Sequence, residues 1–266
     1  ARSDVKTLCA LAHQYDCLTI VDAVTSLGGC ELRVDDWDVD AIYSGTQKCL
    51  SCVPGISPVS FNDRAIEAVK NRKTKVQSWF LDLSLVKNYW SGAKRAYHHT
   101  APINALYALH EALLMLQQEG LENAWARHQR NHLALRAGLE AMGLSFVVSE
   151  ADRLPQLNAV TIPEGVDDAA VRSRLLSEYN LEIGAGLGPL AGKVWRIGLM
   201  GYSSAKRNVM LLLSALEEIL GAMGLREVRR LISYLPSHKK QRATLLDRRD
   251  PPGRPDPPLD SLRRGP

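Results

Sequence analysis

The stretch "CLTIVDAV" (residues 17–24) decides the fold class of this 266-residue chain. Its centre is a short apolar run without alternation, which is typical of a strand buried on both faces of a parallel sheet. The residues before it predict a helix that Ser3 caps, that carries Leu8 and Leu11 on its apolar face and that ends near Tyr15. A helix that leads into a buried strand is the pattern of an α/β sheet.

Two more apolar runs continue this pattern toward the C-terminus. "DAIYSG" (residues 40–45) and "GISPVSF" (residues 55–61) predict two further strands, and Asn62 with Asp63 predicts the start of the helix that follows them. The loops between these elements are short. We therefore predict an α/β fold, with a mixed or parallel sheet and helices, followed by a smaller α+β domain.

Two long helical patterns separate the two parts of the chain. One runs from about Pro102 to Gly120, and the next stops at Gly143, a residue suited to end a helix. Beyond it the sequence alternates between strand and helix patterns, which predict strands at 144–148, 157–162, 181–184 and 193–199 and helices from Asp167 and from about Ala205.

These patterns divide the chain into four regions. Residues 1–120 form part of a large α/β domain, 121–142 a connecting helix, and 143–222 a small α+β domain. Residues 223–266 are predicted to be a basic, largely disordered tail, because seven of the thirteen prolines lie after residue 235 among charged residues.

The net charge of +4 is distributed unevenly along the chain. Residues 226–266 contain 11 Lys/Arg and 5 Asp/Glu, so the first 225 residues contain 22 basic and 24 acidic residues. The globular part is therefore slightly acidic, which argues against a nucleic-acid partner. No run of eighteen apolar residues exists, so no membrane-spanning helix is expected.

The cysteines and the chain ends bear on the compartment. Five cysteines without a secretory signal favour free thiols in a reducing compartment. With no C-terminal peroxisomal signal in view, we expect a cytoplasmic protein. The N-terminus reads as the middle of a domain, so we expect the chain to be a fragment of a longer one.

Two functional groups of opposite charge stand at predicted strand ends. Asp22 follows "LTIV", at the carboxyl end where α/β proteins place ligands, although such an aspartate by itself is more often a helix cap or a turn residue. Lys48 follows the next strand, 26 residues later, where a lysine by itself is ordinarily a solvated surface charge. One strand-loop-strand unit separates the two, so both can face one crevice.

An enzyme that uses pyridoxal 5'-phosphate (PLP) requires such a pair. The lysine forms a Schiff base with the cofactor aldehyde, and the acid keeps the pyridine nitrogen protonated so that the ring accepts electrons. The hydroxyls of Ser44 and Thr46 and the amide of Gln47 are compact groups suited to a phosphate. Gly45 lets the backbone come close to it.

Four blocks of sequence are more specific than this pair. In order, they are "IVDAVTSLGG", "DAIYSGTQKCLSCVPGISPVSF", "YHHTAPINALYALHEAL" and "GLGPLAGKVWRIGLMG". Together they resemble the class V aminotransferase family of fold-type I PLP enzymes, and most closely its alanine–glyoxylate and serine–pyruvate aminotransferase branch. The resemblance covers most of residues 4–220.

The resemblance implies a role for each matching residue. Lys48 would be the Schiff-base lysine that also moves the proton between the substrate α-carbon and the cofactor. Asp22 would pair with the pyridine nitrogen, Val24 would pack on the ring, and Gln47 would bind the phosphate. Tyr97 and Thr100 would reach the phosphate held by the neighbouring subunit of a homodimer. Arg196 would hold the substrate α-carboxylate in its planar fork.

The resemblance also leaves alternatives open. Family members carry a long N-terminal part, with a glycine-rich phosphate turn and an aromatic ring stacked on the pyridine, before the position that matches Ala1. We therefore weigh a transaminase that acts on alanine or serine and on glyoxylate or pyruvate against a catalytically incomplete chain of the same family. A desulfurase or lyase of the same superfamily is a further alternative, and its desulfurase branch is disfavoured because no cysteine follows Cys52.

Three other motifs are assigned no function. The CxxC spacing of Cys49 and Cys52 lacks a second ligand pair for zinc. His98 and His99 are consecutive, so in an extended chain they point in different directions, which disfavours joint metal binding. "GAGLGP" (residues 184–189) lacks the following helix of a dinucleotide loop and is predicted to be a turn. No metal site is predicted.

Overall fold

The structure, a computed structural model, describes residues 1–91 and 96–225. Almost all of the predicted basic tail lies outside these residues. The described elements, in chain order, are α1 (Val5–Gln14), β1 (Ile20–Asp22), β2 (Ala41–Tyr43), β3 (Val59–Phe61), α2 (Asp63–Lys70), α3 (Leu83–Ser91), α4 (Ile103–Glu119), α5 (Leu121–Ala141), β4 (Leu157–Thr161), α6 (Asp168–Tyr179), β5 (Gly184–Ala185), β6 (Val194–Gly198) and α7 (Lys206–Ala222).

The first sheet contains the three strands predicted in the N-terminal part, in the order β1-β2-β3. β1 and β2 are parallel, with Asp22 opposite Tyr43, and β3 runs antiparallel to β2. Asn62 caps α2 as predicted, because its side chain accepts a hydrogen bond from the Ala65 amide. The α/β prediction is confirmed for this part of the chain, and the sheet is mixed.

Two expectations about the first helix and strand are wrong. Asp4, not Ser3, is the N-cap of α1, because its carboxylate accepts from the Thr7 amide. The predicted apolar face is about half exposed, and Ile20 on β1 is 77% exposed. β1 is an edge strand of its sheet, and the described residues leave that side of it uncovered.

Asp40 is the buried polar centre of this first sheet. It is fully buried and accepts hydrogen bonds from His13 Nε2 (2.8 Å), the Thr19 amide (2.8 Å) and Asn62 Nδ2 (3.0 Å). Burial alone would raise the pKa of this carboxyl, but the bonds from His13, Thr19 and Asn62 outweigh burial and lower the pKa to about 2. Asp40 thus ties α1, β1 and α2 together as a carboxylate.

The second sheet belongs to the C-terminal part and is antiparallel, in the order β4-β6-β5. α5, α6 and α7 pack around a large apolar cluster to which β6 contributes Trp195 and Ile197. Two predicted strands are much shorter than expected. Residues 144–148 make only the single bridge from Phe146 to Val160, and 181–184 are replaced by the two-residue β5.

The two long helices lie close to their predicted bounds. α4 begins directly after Pro102 and ends at Gly120, whose φ of 85° breaks the helix before α5. Gly143 follows α5 with φ of 78°, as expected for a helix-ending glycine. α4 has no fully buried residue. α3 was not predicted, and no helix of the described residues is long and apolar enough to cross a membrane.

Candidate active site

Asp22 stands at the carboxyl end of β1 and is held by two hydrogen bonds. Its Oδ1 accepts from the Val24 amide (2.9 Å), which fixes the turn after the strand. Its Oδ2 accepts from the hydroxyl of Tyr43 (2.9 Å), its register partner on β2. This bond to the carboxylate raises the pKa of Tyr43 above its usual value. The carboxylate is exposed at the sheet edge, where a ligand can approach it.

Lys48 lies in a tight loop after β2. Its carbonyl accepts from the Ser51 amide (3.0 Å), and the Cys52 amide donates to the carbonyl of Thr46 (3.0 Å). Ser51 has φ of 58°, an uncommon backbone conformation for a residue other than glycine. Lys48 is half-buried and forms no ion pair with any residue in the described ranges. The loop therefore presents an uncompensated amine.

An open cleft of about 490 Å³ lies beside this amine. One side is formed by the lysine loop and the other by the end of β6 and the turn that follows it. The lining residues include Gln47, Lys48 and Ser51 on the first side and Gly198, Met200 and Tyr202 on the second. The cleft thus lies where the first sheet region and the C-terminal part meet.

Arg196 lies on β6, on the same face as Gly198, because side chains two positions apart on a strand share a face. The flanking residues Trp195 and Ile197 point into the apolar cluster. The Nε of Arg196 donates to the carbonyl of Ala185 on β5 (2.6 Å), and no carboxylate within the described ranges pairs with this guanidinium. One edge of the fork is held and the other is available to an anion.

The predicted phosphate role of two hydroxyls is wrong. Ser44 Oγ donates to the carbonyl of Ala23 (2.9 Å), and Thr46 Oγ1 donates to the carbonyl of Val53 (2.6 Å). Both side chains are buried and hold the loop against β1 and the following segment. Gln47 is exposed. Of the three groups, only its amide is presented to a ligand.

Tyr97 and Thr100 are brought together on the surface. Their hydroxyls are 2.6 Å apart, and Tyr97 is 75% exposed. Between them, the Nδ1 atoms of His98 and His99 approach to 2.7 Å, so the expectation that the two rings point apart is wrong. Buried His98 stacks on Trp79, with ring centroids 4.0 Å apart. The histidine pair stabilises this turn through aromatic contacts.

The CxxC cysteines point to different partners. Cys49 Sγ donates to the carbonyl of Thr25 (3.4 Å), and Cys52 Sγ lies 4.0 Å from the carbonyl of Ala105. Burial raises the pKa of the Cys49 thiol to about 11, which keeps it protonated and unreactive. Among the described residues, no three His, Cys, Asp or Glu side chains cluster as metal ligands would.

Two of the predicted groups are of the kind that PLP requires, a third is of the kind that its substrate requires, and the phosphate is matched only in part. The amine, the strand-end carboxylate and the guanidinium match the aldehyde, the pyridine nitrogen and a substrate carboxylate. The phosphate has fewer donors than predicted, because Ser44 and Thr46 are engaged. The described contacts do not join Asp22 directly to the Lys48 cleft, but both follow neighbouring parallel strands at the same sheet edge.

The residues on the far side of the cleft were not predicted from the sequence. Tyr202 donates its amide to Ser51 Oγ (2.7 Å), and Gly201 packs against the same loop. His128 on α5 accepts from the Gly201 amide (2.9 Å). The one signal in the sequence was Gly201 itself, whose φ of 53° and close approach to Cys49 and Ser51 require a glycine.

The comparisons with known proteins define the class. The family model for class-V aminotransferases matches residues 1–207, so the chain belongs to that family. Members of the family depend on PLP. The resemblance inferred from the four sequence blocks is confirmed.

Three relatives are particularly similar. The alanine–glyoxylate aminotransferase of Callithrix jacchus is 45% identical over 213 residues, which are 79% of this chain and 51% of the relative. The (S)-ureidoglycine–glyoxylate transaminase of Bacillus subtilis is 41% identical over 234 residues, 81% of this chain and 56% of the relative. The crystal structure of an alanine–glyoxylate aminotransferase from Nostoc sp. has 51% identity and a TM-score of 0.80, and the match covers 83% of this chain and 58% of that one. The chain thus spans little more than half the length of these relatives.

Proposed function

We propose that this chain carries the catalytic lysine of a PLP-dependent transaminase. The observation that supports this most strongly is the position of Lys48. Its amine lines a 490 Å³ cleft, is half-buried, and has no ion-pair partner among the described residues. A structural or merely solvated lysine would be paired or fully exposed, whereas an amine that attacks an aldehyde must be accessible and unpaired.

The other residues have complementary roles. When bound, PLP supplies an aldehyde that condenses with amines and a ring that withdraws electrons from the substrate α-carbon. Asp22 stabilises a positive charge on the ring nitrogen, Val24 packs beside it, and Gln47 donates to the phosphate. Lys48 Nζ moves the proton at the substrate α-carbon. Holding these groups fixed before the reaction is what accelerates it.

Arg196 recognises the substrate carboxylate. Its Nε is already held by Ala185, so its free edge is oriented without further loss of side-chain freedom. We propose alanine or serine as the amino donor and glyoxylate or pyruvate as the acceptor. Glyoxylate is the substrate named for the relatives from Callithrix jacchus and Bacillus subtilis, which supports the acceptor class.

The proposed assembly is a homodimer with shared active sites. The bonded hydroxyls of Tyr97 and Thr100 are exposed, as groups that reach a partner's phosphate must be. Several apolar side chains of α4 are also exposed, among them Ile103, Tyr107 and Met115. Equilibrium sedimentation of the protein and of a Tyr107→Glu variant tests this, and a monomeric wild type would contradict it.

The domain division and the compartment are also proposals. Two separate sheets and two buried apolar clusters support a large-domain part at 1–120, a connecting helix at 121–142 and a small domain at 143–222. The five cysteines are all free thiols, which supports a reducing compartment such as the cytoplasm.

A second candidate function is that of a catalytically incomplete member of the family. The observation that favours it is that the hydroxyls of Ser44 and Thr46 donate to backbone carbonyls and so are not available as donors to a phosphate. A desulfurase remains disfavoured because the sequence has no cysteine after Cys52.

Cofactor binding and turnover separate the two candidates. The purified protein should acquire a visible absorbance band on addition of PLP, and the band should be absent from Lys48→Ala. The control Lys70→Ala removes an exposed lysine that pairs only with Glu67, and it should retain the band. Alanine–glyoxylate turnover with the band supports the transaminase. A band without turnover, or no band in the wild type, supports the incomplete chain. A band that Lys48→Ala retains contradicts the assignment of Lys48.

A further inference from the structure

The turn between β6 and α7 forms the far side of the Lys48 cleft. Met200, Tyr202 and Ser203 line the cleft opposite the lysine. The turn also touches the lysine loop directly, because the Tyr202 amide donates to Ser51 Oγ (2.7 Å). A Cβ added to Gly201 would lie 1.9 Å from that oxygen. The position of this turn therefore sets the width of the cleft and the geometry of the loop that carries Lys48.

Helix α5 holds this turn from its other side. Arg127 Nη1 donates to the carbonyls of Gly201 (2.7 Å) and Ser204 (3.0 Å), and Asn131 Nδ2 donates to the same Ser204 carbonyl (2.7 Å). These bonds all go to carbonyl acceptors of the turn. α5 also accepts a hydrogen bond from the turn, because the amide of Gly201 donates to Nε2 of His128 (2.9 Å).

The contacts of His128 determine its protonation state. Its Nδ1 lies 2.7 Å from the carbonyl of Ala124, which can only accept, so Nδ1 carries the hydrogen. Its Nε2 receives the Gly201 N–H, which can only donate, so Nε2 carries none. A second proton on Nε2 would face that N–H and eliminate the bond. The arrangement is compatible only with the neutral ring.

We propose that His128 is a positioning residue of the active site: as a neutral acceptor for the Gly201 amide it holds the 201–204 turn against the lysine loop, and its protonation releases that turn. His128 is fully buried and 80 residues from Lys48 in the sequence. It does not touch the cleft itself. Its effect passes through Gly201 and Tyr202 to Ser51.

The groups around His128 support its protonation in mildly acidic solution. Burial lowers the pKa of His128, the bond to Ala124 opposes this, the guanidinium of Arg127 on α5 lowers it further, and Glu119 on α4 raises it. Because the pKa of His128 is lowered in the folded protein, the neutral ring contributes fully to folding stability above the ordinary histidine pKa of about 6.5. This contribution declines as the pH falls below that value. The turn should therefore be held at neutral pH and released in acid.

Amide hydrogen exchange of the 198–204 peptide tests this without requiring any activity. In His128→Phe, which keeps a ring but loses the acceptor, exchange of this peptide should accelerate about tenfold at neutral pH. In His128→Gln, whose amide oxygen can accept at every pH, it should stay within about threefold of the wild type. Relative to intrinsic rates, protection in the wild type should fall between pH 7 and pH 5, and in His128→Gln it should not.

His132→Gln is the matched control. His132 is also buried on α5 and burial also lowers its pKa, but it bonds Asn158 and meets the Phe146 ring edge to face, away from the turn. Its substitution should leave the 198–204 peptide protected. Unchanged exchange in a folded His128→Phe, or equal pH dependence in the wild type and His128→Gln, would overturn the proposal. If His128→Phe does not fold, the pH comparison decides.

A kinetic experiment also tests the role of His128, and it depends on the proposed function. If the protein is a transaminase, KM for the amino acid should rise between pH 7 and pH 5 more in the wild type than in His128→Gln, with kcat changing in parallel in both. Absence of any activity would count against the proposed function only, because the exchange experiment stands without it. Equal KM profiles in an active pair would count against His128.

Discussion

The hydroxyl of Tyr43 donates a 2.9 Å hydrogen bond to Oδ2 of Asp22, its register partner on the neighbouring parallel strand. The aspartate that the family resemblance assigns to the cofactor ring is therefore already oriented by the protein itself. Its other oxygen is fixed by the Val24 amide, so both carboxylate oxygens are held by groups within 21 residues in sequence. Each oxygen keeps a further lone pair for a ligand.

Removing the charge of Asp22 should lower the pKa of Tyr43. The bond to the carboxylate favours the neutral phenol and raises the pKa of Tyr43 above its usual value. In Asp22→Asn the pKa should move back toward about 10. Absorbance titration at alkaline pH measures it, with Tyr43→Phe identifying the signal. Asp36→Asn is the control, and an unchanged curve in Asp22→Asn would contradict the bond.

Replacing Arg196 with lysine should impair substrate use without affecting folding. Lysine lacks the planar fork and cannot keep the bond to Ala185 while binding a carboxylate with two parallel contacts. We expect kcat/KM for alanine to fall about 10- to 100-fold, the equivalent of one charged hydrogen bond. Arg174→Lys, which alters only an exposed pair with Glu178 on α6, should be neutral. Equal effects of the two substitutions would remove Arg196 from the site.

Acid should destabilise the protein through Asp40. Its pKa of about 2 in the folded state lies below the ordinary value, so its contribution is complete above about pH 4 and is lost as the pH falls toward 2. The shift corresponds to roughly 2 kcal/mol of unfolding free energy. Asp40→Asn should lose about that much at pH 7, as measured by urea denaturation.

The same substitution should also flatten the acid limb of the stability profile. The control Asp36→Asn alters a carboxylate that is 70% exposed, and it should stay within about 0.5 kcal/mol of the wild type. A profile that is equally steep in Asp40→Asn and in the wild type would show that another carboxylate is responsible.

Two glycine-to-alanine substitutions should have opposite effects on the free energy of unfolding. At Gly201 the added Cβ would lie 1.9 Å from Ser51 Oγ and 2.7 Å from the Cys49 carbonyl, at φ of 53°, so unfolding free energy should fall by about 2–4 kcal/mol. At Gly221, near the end of α7, an added Cβ would meet no atom of the described residues within 4 Å outside its own helical turn, and alanine should stabilise by about 0.5 kcal/mol. Thermal unfolding compares them. A neutral Gly201→Ala would mean that the turn does not pack on the lysine loop.

The sequence predicted most of the elements that positioned the site. Non-alternating runs predicted β1 and β2, and glycines at positive φ predicted the ends of α4 and α5. Exposure was harder to predict, because Ile20 and Leu8 are apolar wherever they lie, and only the arrangement of neighbouring elements decides what covers them. The short β5 was likewise set by its pairing with β6 rather than by its own composition.

The candidate site divides in the same way. Lys48, Asp22 and Arg196 could be proposed as site residues from residue type and from the blocks around them, because each kind of chemistry requires a particular side chain. The engagement of Ser44 and Thr46 with backbone carbonyls could not be predicted, because a hydroxyl suited to a phosphate is equally suited to a carbonyl.

The amino-acid sequence by itself determined the family, most of the strands and helices, and the residues proposed as reactive groups, because these depend on residue identity and local spacing. The tertiary structure alone decided that Tyr43 orients Asp22, and that His128 and Gly201 hold the far side of the Lys48 cleft. Such contacts join residues up to 151 positions apart, and a hydrogen bond depends on the distance and direction between two atoms, which only the folded chain sets.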